Sequence, residues 1–251
     1  MRIGLVGAGG MASALARGWG DPVLVSDPAS DRAEALASEL GGEAFVGNVA
    51  LAEAADLVVL CHKPAQLAEV AAEIAAVGTP VVSILGSVTV AAIREAYGKT
   101  PAFRVLPNLP VEVARGVLCW PSSNGESAQA TEIKQEFARL GRVVEVDEAQ
   151  MEAAMAVSSN APAFIALLIE SLVDAGVRHG LAAGVAHELA VETLAGTAAL
   201  LERREGDTLG VRRAVTSPGG STARGLAALE RHGLRSAVDA AVEAVLEGGA
   251  K

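Results

Sequence analysis

The stretch Ile3-Gly4-Leu5-Val6-Gly7-Ala8-Gly9-Gly10-Met11-Ala12 decides how the rest of the chain is read. Residues 3–6 form a continuous apolar run, the pattern of a strand buried on both faces. Residues 11–18 read as a helix. Between them lies G-x-G-x-x-A, made by Gly7, Gly9 and Ala12 with Ala8, Gly10 and Met11 filling the loop. Gly7 permits a tight turn, Gly9 leaves the backbone open to a pyrophosphate, and Ala12 lets the helix pack on the strand. The helix start then offers free N–H groups and a partial positive charge to phosphates. A glycine pattern alone is weak, but this one follows a strand and opens a helix. That context favours a dinucleotide site over a glycine-rich turn without a ligand.

Outward from this point, short apolar strands alternate with helices. Strands are expected over 23–26, 44–46, 57–61, 80–85, 116–120 and 143–146, with 102–106 extended. Helices are expected over 31–40 with Ser30 as N-cap, and over 65–76, 91–97 and 128–140, with a turn at Gly47-Asn48. After Asp147 the strands stop. Helices are expected over 151–157, 163–179, 182–203, 209–215, 221–231 and 234–246. The fold class is therefore α/β: a Rossmann-type parallel-sheet domain over 1–150, then an all-α domain over 151–251. Residues 164–169 are apolar on every helical face and 189–201 nearly so. Such helices must be enclosed, which points to a homo-oligomer through the C-terminal helices rather than a compact monomeric bundle.

The second strand ends at Ser26-Asp27, and Asp27 lies 20 residues after Gly7. An acidic residue there accepts hydrogen bonds from the adenosine ribose and disfavours a 2′-phosphate, which points to NAD(H). Ser26, Ser30 and Arg32 would suit NADP(H) if Asp27 turned away. Both cofactors stay open.

Composition narrows the partners. The 251 residues are 51% hydrophobic with 3% aromatic, and the net charge is −10. No basic footprint for nucleic acid is visible, and an acidic surface disfavours anionic membranes. The apolar run 161–168 is soon followed by Glu170 and Asp174, so no membrane-spanning segment is expected. Cys61 and Cys119 sit in apolar strand-like runs, as in a reducing, cytoplasmic compartment. The N-terminal ten residues do not read as a signal peptide. His62, His179, His187 and His232 lack metal-ligand spacing, so no metal is expected. His62 adjoins Lys63 and could approach a cofactor; the plainer reading is a strand-end histidine. Lys63 stands at the C-terminal end of a parallel strand, where such sheets bind ligands.

A second cluster of unusual residues is Val215-Thr216-Ser217-Pro218-Gly219-Gly220-Ser221-Thr222, opening the helix over 221–231. Pro218 stiffens the approach, the glycines leave N–H groups unobstructed, and the hydroxyls add donors. The segment could receive a carboxylate, or it could be an ordinary capped loop. With Ala223-Arg224-Gly225-Leu226 it resembles the signature of pyrroline-5-carboxylate reductases. Other segments agree in order: the Gly7–Ala12 loop followed by Ser13, Lys63-Pro64, Arg104 through Pro110, Ser158 through Phe164, Asp174-Ala175-Gly176 and Gly180-Leu181. The resemblance covers essentially the whole chain.

The resemblance implies hydride transfer from a nicotinamide cofactor to the C=N carbon of pyrroline-5-carboxylate, giving proline. It implies an interlocked helical dimer, often assembled into a decamer, with the active site between the domains and the partner contributing. Carried onto this chain, Thr222 would hydrogen-bond the ring nitrogen as the catalytic contact. Ser217 and the N–H groups of Gly219, Gly220 and Ser221 would hold the substrate carboxylate. Asn48 would meet the adenosine end, Lys63 and Pro64 would border the dinucleotide, and Asn108 and Pro110 the nicotinamide. Asn108, between two prolines, could equally stabilise its turn. The chain departs from the family at Ser159, Asn160 and Ala161, at Leu109 for a threonine, at Gly10 for an asparagine and at His62 for a valine. These departures keep open a sister reductase of another cyclic or secondary imine. A dinucleotide-binding redox sensor without catalysis is a further alternative.

Overall fold

The computed structural model describes residues 1–248. Two compact units, Met1–Pro162 and Ala163–Lys251, make up the chain. The first begins β1 (Ile3–Val6), α1 (Gly10–Trp19), β2 (Leu24–Ser26), α2 (Ser30–Glu39), β3 (Glu43–Ala44) and α3 (Asn48–Ala54). It continues β4 (Leu57–Leu60), α4 (Leu67–Ile74), β5 (Val81–Ser83), α5 (Val90–Tyr97) and β6 (Ala102–Arg104). The six strands are parallel in the order β3-β2-β1-β4-β5-β6. This is the Rossmann order, and the winding reverses between β1 and β4, where such sheets open a ligand crevice. Successive strand residues point to opposite faces. Leu5, Val59 and Val82 join Leu15, Trp19 and Leu36 in one buried cluster. Val58, Leu60 and Val81 join Leu51, Ile74 and Ile93 in another. Burial on both faces is why these strands are apolar without alternation.

Several expectations change. Ser30 is the first residue of α2 rather than its cap; Ala29 holds the cap position without a side-chain bond, and Asp27 Oδ1 accepts the Ala29 N–H at 2.9 Å. Asn48 opens α3, where only a turn was expected. Beyond β6 the chain leaves the parallel sheet. β7 (Leu106–Pro107), β8 (Gly116–Pro121) and β9 (Gly141–Val146) form a separate three-stranded sheet, with α6 (Ala128–Ala138) joining β8 to β9. β7 and β8 are antiparallel because a 3-10 turn over Leu109–Val113, carrying Pro110, reverses the chain between them. α7 (Met151–Ser158) then packs on β8. Met151 shares a buried cluster with Leu106 and Cys119. α7 thus packs within the first unit, which runs to Pro162.

A buried polar network ties this second sheet to the first. Arg104 ends β6 at 3% exposure and donates from Nη1 to Glu148 Oε1 at 2.8 Å. Glu148 also accepts the Val90 N–H at 3.2 Å and the Ser123 hydroxyl. Asn124 grips the Arg104 backbone from both sides, accepting its N–H at 2.9 Å and donating to its carbonyl at 2.8 Å. Burial pushes the Glu148 pKa up, but Ser123, the Val90 N–H and Arg104 together hold it below the usual carboxylate value.

The second unit holds α8 (Ala161–Arg178), α9 (Ala183–Arg203), α10 (Thr208–Ala214), α11 (Ser221–Arg231) and α12 (Leu234–Gly248). α8 buries no residue, and α9 buries only Ala186 and Ala190. Ile165, Leu167, Leu168 and Leu172 stand exposed on α8, and Val185, Leu189 and Leu200 on α9. By length and composition, Glu148–Arg178 is one helical run apolar enough to cross a membrane, a candidate the sequence reading did not expect. Its first half nevertheless belongs to the first unit, with Met151 and Ala156 buried there. The helix is interrupted at Ser159-Asn160. An uncovered apolar face of this size marks an association surface.

Replacing Glu148→Gln leaves the Arg104 charge buried without a counter-ion, and urea denaturation at pH 7 should show a loss on the order of 3 kcal/mol. The native Glu148 pKa lies below its unfolded value, so its contribution is complete above the ordinary carboxylate range and is lost as pH falls through the native value. The gap between wild type and variant should therefore narrow only below about pH 4.5.

Candidate functional site

The site in the first unit grows from the β1–α1 turn. Gly7 has φ +106°, and a Cβ there would lie 2.9 Å from the Cys61 carbonyl oxygen. Its N–H donates to the Ser26 carbonyl at 2.8 Å. Gly9 occupies the N-cap of α1 without a side-chain cap, and the first turn carries no acidic residue. The helix start is thus open, with its N–H groups free for an anion. A Cβ built on Gly9 or Gly10 meets nothing within 4 Å. Ala12 is buried against the sheet, and Met11 is half-buried beside it. These residues fit a pyrophosphate, because the space a side chain would fill is left empty beside an uncapped helix.

At the end of β2, Asp27 bridges two loops. Its Oδ2 accepts the Ala8 N–H at 2.8 Å and its Oδ1 the Ala29 N–H. Next to it, buried Ser26 donates to Asn48 Oδ1 at 2.7 Å, and Asn48 Nδ2 donates to Glu73 Oε2 at 2.7 Å. A cavity of about 350 Å³ gathers Gly7, Gly9, Ser26, Asp27, Asn48 and Lys63. Arg32 and His62 line it too, with Gln66, Glu69 and Glu73 from the β4–α4 segment. Asp27 is held by backbone donors yet still lines the cavity, and the Ser26 hydroxyl proton is committed to Asn48. Of the three residues suited to a 2′-phosphate, Arg32 lies at the cavity with no side-chain hydrogen-bond partner among the described residues; Ser30 does not line it.

Cys61 also lines the cavity; it is half-buried rather than buried, and burial pushes its thiol pKa up. Cys119 is buried, and both cysteines are free thiols. Lys63 donates its backbone N–H to Gln66 Oε1 at 3.2 Å, and Pro64 opens the 3-10 turn that follows. The Gln66, Glu69 and Glu73 wall was missed in sequence. Its three- and four-residue spacing puts these side chains on one helical face, and that spacing could have revealed it.

Asn108 and Pro110 do not line this cavity. Asn108 is buried, and both ends of its amide are engaged: Oδ1 accepts the Val117 N–H at 2.8 Å and Nδ2 donates to the Ser158 carbonyl at 3.1 Å. Pro110 lies inside the 3-10 turn, where its carbonyl accepts the Arg115 N–H. Beside them Ser159 Oγ donates to the Pro107 carbonyl at 3.1 Å. The segment thus clamps the end of α7 to the strand that leaves the parallel sheet. Among the described residues no cluster of His, Cys, Asp or Glu is placed to hold a metal ion.

In the second unit, the turn before α11 is closed by the Gly220 N–H donating to the Ser217 carbonyl at 3.0 Å. Gly219 has φ +70°, and a Cβ on Gly220 would lie 2.4 Å from Ser217 Oγ. α11 starts after an extended Gly220 with no side-chain cap and no acidic residue in its first turn. Arg224 folds back, donating from Nη1 to the Gly219 carbonyl at 2.7 Å. Among the described residues, the hydroxyls of Ser217, Ser221 and Thr222 have no partner. A second open helix start, flanked by free hydroxyls, can receive a carboxylate.

Comparison with known proteins agrees with both halves. Residues 148–251 match the family described as pyrroline-5-carboxylate reductase dimerisation, and residues 2–87 that described as NADP oxidoreductase coenzyme F420-dependent. A pyrroline-5-carboxylate reductase of Synechocystis sp. is 35% identical over 97% of this chain and 95% of its own length. One from Mycobacterium tuberculosis is 37% identical over 97% of this chain and 94% of its own. The crystal structure of Plasmodium falciparum pyrroline carboxylate reductase with NADP bound superposes with a TM-score of 0.87. It is 27% identical and covers 99% of this chain and 97% of that one. The chain belongs to the pyrroline-5-carboxylate reductase family.

Proposed function

We propose that this chain is an NAD(P)H-dependent reductase that converts 1-pyrroline-5-carboxylate to L-proline. The observation that carries the reading is the uncapped start of α11, with the free hydroxyls of Ser217, Ser221 and Thr222, in a chain whose other unit opens α1 on the Gly7–Ala12 loop. The two helix starts are assigned to the two anionic reactants. Gly7, Ala8, Gly9, Gly10, Met11 and Ala12 take the pyrophosphate, with Ser26, Asp27 and Asn48 at the adenosine and Lys63 and Pro64 along the dinucleotide. Asn108 and Pro110 support the nicotinamide end from the turn they stabilise. Residues 1–150 are the cofactor-binding portion, and 151–251 the portion for dimerisation and substrate binding.

The reduced nicotinamide, when bound, supplies the hydride. The chain's own residues fix the acceptor. The N–H groups of Gly219, Gly220 and Ser221, with Ser217, hold the substrate carboxylate. Thr222 accepts the N–H of the protonated imine and fixes the ring's orientation. A protonated C=N is already an electrophile, so hydride addition to its carbon yields the neutral secondary amine without a proton from the protein. A threonine hydroxyl is too weak an acid to protonate the imine unaided, and no dedicated general acid is assigned. Positioning carries most of the rate and can be worth about 7–11 kcal/mol.

The exposed faces of α8 and α9 and the dimerisation family support assembly through the C-terminal helices as at least a dimer; a decamer is implied by the resemblance alone. The two free thiols fit a reducing, cytoplasmic setting.

Purified protein should oxidise NADPH or NADH, followed by absorbance, only when pyrroline-5-carboxylate is added. Absence of turnover with both cofactors rejects the reading, and faster turnover of a six-membered cyclic imino acid would move it to a sister reductase. Thr222→Ala should lower kcat/KM about ten- to a hundredfold, the loss of a hydrogen bond to a charged group, while Thr222→Ser keeps most of it. Sedimentation equilibrium should give at least twice the mass of one chain; a monomer at micromolar concentration would contradict the reading of α8 and α9.

A further inference from the structure

Arg224 stands one turn into α11, and its side chain folds back toward the start of that helix. Nη1 donates to the Gly219 carbonyl at 2.7 Å. Residues three apart share a helical face, so Arg224 lies on the face that Ser221 opens. The residue is exposed, and no carboxylate among the described residues pairs with it. Acidic residues outnumber lysine and arginine by 30 to 20 in this chain, so carboxylates are not scarce. The helix gives no reason for the charge either. A helix start carries partial positive charge, and a cation brought to it is repelled. A neutral donor could make the hydrogen bond to Gly219 without that repulsion. The charge becomes favourable once an anion sits at the helix start.

Gly219 connects this charge to the substrate. Its carbonyl takes the Arg224 hydrogen bond, and its N–H is one of those assigned to the substrate carboxylate. The guanidinium is therefore held within one residue of the proposed anion. A guanidinium carries five N–H donors, and those that Gly219 leaves over have no partner among the described residues. Gly219 holds φ +70°, and the Gly220 N–H closes the turn on the Ser217 carbonyl, so the anchor for Arg224 is itself held in place. We infer that Arg224 supplies a positive charge to the carboxylate site and makes the enzyme selective for cyclic imines that carry a carboxylate. The inference rests on the assignment of the α11 start to the substrate carboxylate. It adds a charged side chain to the backbone N–H groups and hydroxyls named there.

Steady-state kinetics with pyrroline-5-carboxylate and with 1-pyrroline, the same ring without its carboxylate, test this on wild type, Arg224→Gln and Arg224→Lys. Glutamine keeps a donor for Gly219 and loses the charge; lysine keeps both. Arg224→Gln should raise KM for pyrroline-5-carboxylate about tenfold and change kcat far less, because the carboxylate is held alike in ground and transition states. The loss in kcat/KM on 1-pyrroline should be several-fold smaller. Arg224→Lys should recover most of the KM, which a purely structural hydrogen bond, already kept by glutamine, does not predict. Added salt should raise the wild-type KM relative to that of Arg224→Gln, since it screens an exposed charge. An unchanged KM in Arg224→Gln overturns the inference alone. A loss of equal size on the two substrates, or equal salt sensitivity of wild type and Arg224→Gln, overturns it too and leaves Arg224 as a brace for the turn. Absence of wild-type turnover with pyrroline-5-carboxylate overturns the functional reading and the inference with it.

Discussion

Gly7 holds φ at +106° with no room for a side chain, because a Cβ would lie 2.9 Å from the carbonyl oxygen of Cys61, just after β4. That close approach draws β1, β2 and β4 together at one point: Gly7 donates to the Ser26 carbonyl and Cys61 to the Val6 carbonyl. With the turn so tight, α1 starts directly over the sheet's carboxyl edge, and its first N–H groups face outward uncapped. Asp27 then fastens the loop from the other side through the Ala8 N–H. The cavity beside Asp27 and Asn48 and the open helix start both follow from this one turn.

Electrostatics set a second constraint. The chain carries a net charge of −10, yet both proposed ligands are anions. Attraction has to come from fixed local sources rather than the global field. Each unit supplies the same device, a helix start opened by glycine and left free of acidic side chains. Backbone dipoles do not titrate and cost no side-chain ordering, which suits a site that must hold its ligand in one orientation.

Much of the fold was legible because burial on both faces writes itself as unbroken apolar strands. The glycine loop, the break after Asp147 and the apolar helices of the second unit were visible for similar reasons. α3 was not, since seven residues with only Leu51 and Ala52 buried carry too little periodicity. The second sheet was not, because strand periodicity does not say which sheet a strand joins. Arg104 read as part of an extended run, but its partner Glu148 lies 44 residues away and local pattern cannot pair them. For the site, residue identities were readable and their commitments were not. Asn108 has its amide engaged at both ends, by Val117 and Ser158, and neither partner could be named from the local pattern.

On the proposed reading, the space over Gly9 is kept empty for a dinucleotide rather than for folding. Gly9 has φ −78°, which alanine adopts freely, and a Cβ there touches nothing within 4 Å. Isothermal titration of Gly9→Ala with NADPH and NADH, beside its melting temperature, tests this directly. The predicted result is an unchanged melting temperature with cofactor affinity reduced tenfold or more, about 1.4 kcal/mol. A variant that binds both dinucleotides as tightly as wild type would contradict it.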